Sequence, residues 1–285
     1  MSSAPEVSDA MAVPDAEASP LLADRSERLP SVESRRSLAG VRGIFFDLDD
    51  TLCAYWEASK AALRKAFELH GPPGITPEQM VVHWAAAFRV FAPSLKETGW
   101  YETYLKNAEP TRTEQMRRTL SEAQIVDEAR AAKLSETYMV ERDRHLRLFD
   151  DAVAVLQELG ARYPLGLITN GPADTQRQEI ETLGIARHFR NIFIEGEMGE
   201  GKPKRAVFQR AASAVGLEPE ELLMVGNSYA HDVAPALKYG WYAVWVRRAT
   251  DIPPSRTTSE EMPPGSPKPD AIIQHLSELL PLLSA

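Results

Sequence analysis

Ten residues limit what this chain can fold into more than any other stretch: Gly43-Ile44-Phe45-Phe46-Asp47-Leu48-Asp49-Asp50-Thr51-Leu52. The apolar, aromatic-rich run reads as a short buried strand. Three acids follow within four residues, then a hydroxyl. Carboxylates at the tip of a buried strand are costly to place unless something pairs with them. A metal cation is the usual partner, and a metal beside a carboxylate is a reaction centre. The rest of the chain can be read for what it brings to those acids.

Residues 55–147, directly after this strand, read as helical. Ala58, Ala61, Ala62, Lys65, Ala66 and Leu69 lie in a helix-friendly segment ended by Gly71-Pro72-Pro73-Gly74. Thr76-Pro77-Glu78-Gln79 is a helix start, with a hydroxyl N-cap, proline first and an amide behind. Its helix puts Val81, Trp84, Ala85, Phe88 and Phe91 on one face and stops before Pro93. A shorter element carries Trp100, Tyr101, Tyr104 and Leu105. Another helix opens at Thr111-Arg112-Thr113-Glu114, with Met116 and Leu120 four apart, and a last one runs from about Val126 to Arg147. Helices without strands form a small bundle, and the aromatic stripes read as its core.

Beyond residue 147 strands and helices alternate. The strands are Pro164–Gly171, Asn191–Ile194, Leu222–Gly226, Trp241–Val246 and Asp270–Ile273, and a C-terminal helix spans Leu276–Leu283. Asp150-Asp151 reads as the N-cap of the first helix of this part. Apolar strands alternating with helices predict an α/β fold, a doubly wound parallel sheet covered on both faces. Ligands of such sheets bind beyond the carboxyl ends of the strands. The helical block, inserted after the first strand, would hang over that edge. The expected division is a disordered tail over 1–38, an α/β core over 39–54 and 148–285, and a helical cap over 55–147.

Composition narrows the class. The 285 residues are 44% hydrophobic and 26% charged, enough for one large domain or two smaller ones. The net charge of −9, with no basic block, argues against a dedicated nucleic-acid binder. A few placed cations still suffice for a small anionic substrate. One cysteine, Cys53, excludes a disulfide framework within the chain and suits a reducing, cytoplasmic setting. It has no activating base beside it and reads as packing. No run approaches the ~18 apolar residues of a membrane span. The early acids Glu6, Asp9, Asp15 and Glu17 fit neither a secretory signal nor a mitochondrial presequence.

Four polar clusters fall at strand ends or in the loops that follow: Asp47-Leu48-Asp49-Asp50-Thr51, Thr169-Asn170-Gly171, Lys202-Pro203 and Gly226-Asn227-Ser228-Tyr229-Ala230-His231-Asp232. Each alone is weak; their order and topological placement are the signal. The arrangement closely resembles the haloacid dehalogenase (HAD) superfamily over residues 42–283, and the helical insertion resembles that superfamily's C1-type cap.

The resemblance implies a phosphatase that uses Mg²⁺ on a small phosphate monoester. Asp47 would be the nucleophile and Asp49 the acid and base. Asp47, Asp49 through its backbone carbonyl, and Asp232 would hold the metal, with Asn227 behind them where the family often has an acid. Lys202 would hold nucleophile and phosphate together, and Thr169 with the N–H groups near Asn170 and Gly171 would bind the phosphate oxygens. Of Arg112, Arg117 and Arg118 on a cap helix, Arg112 is the candidate for an anionic part of the substrate, against a solvated charged face. His231 reads as a solvent-near loop residue and Asp50 as a turn former. The dehalogenase branch lacks the second acid of the first motif, so Asp49 favours phosphate esters over C–halogen cleavage. A phosphomutase, a 2-haloacid dehalogenase and a non-catalytic interaction protein are the alternatives. Oligomeric state is not legible.

Overall fold

A computed structural model describes residues 36–284 of the chain. Residues 1–35, most of the expected tail, lie outside the described residues. The remainder of that segment belongs to the core. Arg36 Nε donates to Asp270 Oδ1 at 2.5 Å, and Leu38 is buried in a short 3₁₀ turn.

Six parallel strands form one sheet: β1 Gly43–Phe46, β2 Leu165–Thr169, β3 Asn191–Ile194, β4 Leu222–Gly226, β5 Tyr242–Val246 and β6 Ala271–Ile273, in the order β3-β2-β1-β4-β5-β6. Connections run outward from β1 to β3, then cross to the other side at β4. The order therefore reverses at β1, which places a crevice beyond its carboxyl end. Every residue of β1, β2 and β4 is buried, so these strands read as continuous apolar runs rather than alternating ones. Alternation persists in where they point. Ile44, Phe46, Leu223 and Val225 enter one apolar layer, while Phe45 and Met224 enter the other. Burying Phe45 and Phe46 completely contributes roughly 2–3 kcal/mol each. Gly166 is required where Phe45 lies across β2, because a Cβ there would stand 2.2 Å from its ring.

Five helices make up the insertion that follows β1: α1 Tyr55–His70, α2 Pro77–Ser94, α3 Trp100–Lys106, α4 Glu109–Glu122 and α5 Glu128–His145. α1, α2, α4 and α5 share a third apolar cluster of Leu63, Phe67, Met80, Trp84, Met116 and Leu134. The capping box at α2 forms as expected: Gln79 N–H donates to Thr76 Oγ1 at 3.2 Å and Thr76 N–H to Gln79 Oε1 at 2.9 Å. That helix does not stop before Pro93; it carries the proline in its last turn, at the loss of the one bond its missing N–H would have given to the carbonyl four residues back. α4 starts at Glu109 rather than Thr111, with Pro110 supplying the first turn.

The remaining helices are α6 Ala152–Gly160, α7 Ala173–Thr182, α8 Glu195–Met198, α9 Arg205–Val215, α10 Ala234–Lys238 and α11 Leu279–Leu282. Asp151 stands at the N-cap position of α6 but its side chain does not cap. It accepts from Ser277 N–H at 3.1 Å and lies 3.6 Å from Arg248, tying the C-terminal segment down instead. That segment is a 3₁₀ turn, Leu276–Glu278, followed by the single-turn α11. Among the described residues no helix is long and apolar enough to cross a membrane.

Candidate active site

Asp47 leaves the end of β1 with its N–H donated to Val225 O at 2.9 Å, so the sheet itself fixes its position. The turn that follows is built by its own residues. Asp50 adopts φ +56°, and its Oδ1 accepts Trp56 N–H at 3.2 Å, capping α1 from outside the helix. Cys53 is buried without a disulfide, its Sγ 3.6 Å from Leu48 O, as a packing residue should be. Thr51 Oγ1 donates to Asp47 Oδ2 at 3.0 Å and accepts Asn227 N–H at 3.0 Å, joining the first and fourth clusters.

Lys202 is 2% exposed and reaches β1 from the loop before α9. Its Nζ donates to Asp47 Oδ1 at 2.7 Å and stands 2.6 Å from Asp232 Oδ1. Both ends of the Asn170 side chain hold the Lys202 backbone, with Nδ2 donating to Lys202 O at 2.7 Å and Oδ1 accepting Lys202 N–H at 2.8 Å. The side chain of Asn170 is therefore spent on the lysine loop. Asp232 folds back so that Oδ2 accepts Ser228 N–H at 2.9 Å. Gly226 permits this, because a Cβ there would meet Asp232 Oδ2 at 2.3 Å. His231 is exposed on the π-helical turn Tyr229–Val233.

Burial pushes Asp232 up to about 7; Lys202 opposes the shift and the Asp47 charge adds to it. Burial alone would lower the Lys202 ammonium, yet the two carboxylates hold it above its ordinary value. Two acids thus share one cation. Among the described residues no three acids, histidines or cysteines cluster into an all-protein metal cage. A sparse set of two carboxylates, completed by carbonyl, water and phosphate oxygens, is what Mg²⁺ accepts. The residues present fit that ion.

Several functional neighbours were not legible in the sequence. Gln176 on α7 accepts the Thr169 hydroxyl at 2.6 Å on Oε1, while its Nε2 donates to Asp49 Oδ2 at 3.2 Å and to Glu179 Oε2 at 2.9 Å. Glu179 in turn meets Arg142 of α5 at 2.9 Å, with both side chains buried. An unbroken polar chain therefore links the helical insertion to Asp49. Burial and the Asp47 charge push Asp49 up to about 6. Asp251 accepts Asn227 Nδ2–H at 2.9 Å and is pushed up to about 6 chiefly by burial. Glu260, in the Pro-rich loop, accepts the N–H groups of Tyr229 and Ala230 and so pins the turn that carries Asp232. Glu195 Oε2 accepts Gly171 N–H at 3.0 Å, and its Oε1 accepts the Tyr101 hydroxyl from α3. Gln, Glu and Arg on helices look like solvated faces in one dimension; only docking buries them.

A cavity of about 360 Å³ opens from Asp49, Asn170 and Gly171 into the helical insertion. Arg112 lines it, whereas Arg117 and Arg118 both turn away to Glu114, each at 2.7 Å. The phase of α4 carries the signal that separates them, since Arg112 lies four and eight residues before the buried Met116 and Leu120.

The chain has counterparts in sequence and in fold. The haloacid dehalogenase-like hydrolase profile matches residues 41–240. A phosphoserine phosphatase of Thermus thermophilus is 35% identical over 224 residues, covering 72% of this chain and 88% of its own. An N-acylneuraminate-9-phosphatase of Mus musculus is 29% identical over 234 residues, covering 79% and 89%. Among solved structures, a magnesium-bound HAD-hydrolase of Bacillus subtilis superposes with a TM-score of 0.66 at 22% identity, over 86% of this chain and 99% of that one. With the profile matched over residues 41–240 and a phosphatase 35% identical over 72% of the chain, the chain belongs to the haloacid dehalogenase-like hydrolases, in their phosphatase branch, as a hydrolase of phosphoric monoesters.

Proposed function

We propose that this protein is a Mg²⁺-dependent phosphatase that hydrolyses a small soluble phosphate monoester through an aspartyl-phosphate on Asp47. The observation that carries the reading is the buried ammonium of Lys202 between Asp47 and Asp232, 2.7 and 2.6 Å away, at the crevice where strand order reverses. Asp47 attacks phosphorus as the ester P–O bond breaks, and Asp49 delivers a proton to the leaving oxygen. Asp49 then takes a proton from the water that attacks the phospho-aspartate, releasing inorganic phosphate and restoring the Asp47 carboxylate. Lys202 offsets the repulsion between Asp47 and the phosphoryl oxygens, and the N–H of Asn170 binds those oxygens together with the Thr169 hydroxyl, which must turn from Gln176 Oε1 to do so. Mg²⁺, held by Asp47, the Asp49 carbonyl and Asp232 with Asn227 behind, would neutralise charge on the transferring group. The helical insertion covers the site and keeps bulk water out of the first step. The relatives named for phosphoserine and N-acylneuraminate 9-phosphate support a small soluble ester as substrate, and such a substrate suits a cytoplasmic enzyme.

Likeness to a defluorinating L-2-haloacid dehalogenase, with a TM-score of 0.65 at 18% identity, is likeness of fold alone. Asp49 weighs against that chemistry. The test is hydrolysis of an aryl phosphate with and without Mg²⁺. Asp47→Asn is expected to lower kcat at least ~10⁴-fold. Equal, metal-independent rates in both proteins would end the reading.

A further inference from the structure

The cavity wall formed by α4 holds two buried polar atoms that nothing among the described residues satisfies. Arg112 Nε is buried without a partner, and its guanidinium makes no ion pair among the described residues. One turn along the same helix, Gln115 is 6% exposed, and its Nε2 donates to Trp84 O at 3.2 Å. That bond leaves Oε1 buried with no donor. A half-buried cation and a buried acceptor without partners are both costly, and a native chain retains them where a ligand completes them. Arg142, the other arginine of this cavity, is already neutralised by Glu179. Arg112, which Asp174 and Glu109 reach only at a distance, therefore supplies the positive charge of the wall that no ion pair holds.

The surroundings limit what can complete the pair. Trp84 and Phe88 stack at 4.7 Å beside it, so the space between the polar groups is apolar and aromatic. The volume, about 360 Å³, lies near the lower end for small-ligand sites. Its other end is formed by Asp49, Asn170 and Gly171, so a molecule with its phosphate at Asp47 must extend its leaving group toward α4. Gln115 Oε1 beside Arg112 disfavours a second phosphate, whose crowded oxygens would face an acceptor. It favours a carboxylate flanked by a donor.

We propose that Arg112 and Gln115 recognise the leaving group of the substrate, which carries a carboxylate and, next to it, an O–H or N–H donor. The inference rests on the phosphatase reading for the position of the phosphate. It predicts a 2-hydroxy- or 2-amino-acid phosphate ester rather than a neutral polyol phosphate.

Three-carbon esters separate the contributions: 3-phosphoglycerate, the analogue lacking its 2-hydroxyl, O-phosphoserine, and glycerol 1-phosphate, which lacks the carboxylate. Wild type is expected to favour 3-phosphoglycerate or O-phosphoserine over glycerol 1-phosphate about tenfold or more in kcat/KM. Arg112→Met should bring that ratio close to one, and Arg117→Met, on the outward face of the same helix, should keep it. Loss of the 2-hydroxyl should cost about threefold to tenfold in wild type and nothing further in Gln115→Met. Because each ratio is taken within one protein, reduced folding of a variant does not imitate the result. A wild-type ratio near one, a ratio that survives Arg112→Met, or a stronger preference for a bisphosphate overturns the subsite. Calorimetric binding of the same esters to Asp47→Asn decides it without turnover. Tighter, Arg112-dependent binding of the acid esters upholds it even if wild type hydrolyses none of them, an outcome that ends the phosphatase reading instead. Equal binding overturns the subsite and leaves that reading to the hydrolysis data.

Discussion

The strand-end cluster and the α4 wall face the same crevice but treat charge in opposite ways. At the strand ends the polar groups are held by one another: Lys202 by Asp47 and Asp232, Asp47 by Thr51, Asn227 by Asp251. On α4, Arg112 and Gln115 keep atoms that the fold leaves without a partner. A preorganised reaction centre needs its groups fixed before substrate arrives, because reorganising them during the reaction raises the barrier. A recognition surface needs the reverse, groups whose partner is the substrate. On the proposed reading, chemistry and choice of substrate are divided between two layers of one molecule.

The comparison breaks if the strand-end charges do not depend on each other. Lys202→Met leaves two buried carboxylates facing one another and is expected to lower stability by about 3–5 kcal/mol in chelator-containing buffer, read by urea unfolding. Added Mg²⁺ should recover part of that loss through its linkage to the folded state. A change below about 1 kcal/mol would mean that the pairing contributes little. A smaller effect is expected where the two layers join. Gln176→Leu removes the amide that steadies Asp49, and should slow hydrolysis of an alkyl phosphate about a hundredfold, near 2.7 kcal/mol. For p-nitrophenyl phosphate, whose leaving group needs little protonation, the loss should be much smaller. Equal losses on both esters would make Gln176 a packing residue only. Smallest of all is Arg117→Ala on the exposed side of α4. Its surface pair with Glu114 should be worth no more than about 0.5 kcal/mol, and a thermal melt showing more than twice that would refute the assignment of this face to solvent.

The residues at the strand ends were legible because strand geometry is short-range. An apolar run followed by Asp47, Thr169, Asn227 or Asp232 places those side chains at a carboxyl edge whatever else the chain does. The spacing of Thr76 and Gln79 announced a cap for the same reason, since the partners are three residues apart. Arg142, Glu179 and Gln176 were not legible. Each sits on a helix among charged neighbours, and Arg142 of α5 meets Glu179 of α7 only across separately docked elements. Asp251 and Glu260 lie in a Pro- and Ser-rich stretch with no periodicity to read. Asp150-Asp151 looked like a capping pair, but the Asp151 carboxylate went to Ser277 and Arg248, more than ninety residues away.

By itself, then, the sequence determined the alternation of strands and helices, the insertion after β1 and the set of side chains offered at the sheet edge. All of these follow from local propensity, burial pattern and chain order. Only the tertiary structure decided that Lys202 stands between Asp47 and Asp232, that Asn170 holds the lysine loop, and that Arg112 rather than Arg117 or Arg118 enters the cavity. Those choices depend on how separate elements dock, and docking is governed by through-space packing and desolvation, which no window along the chain records.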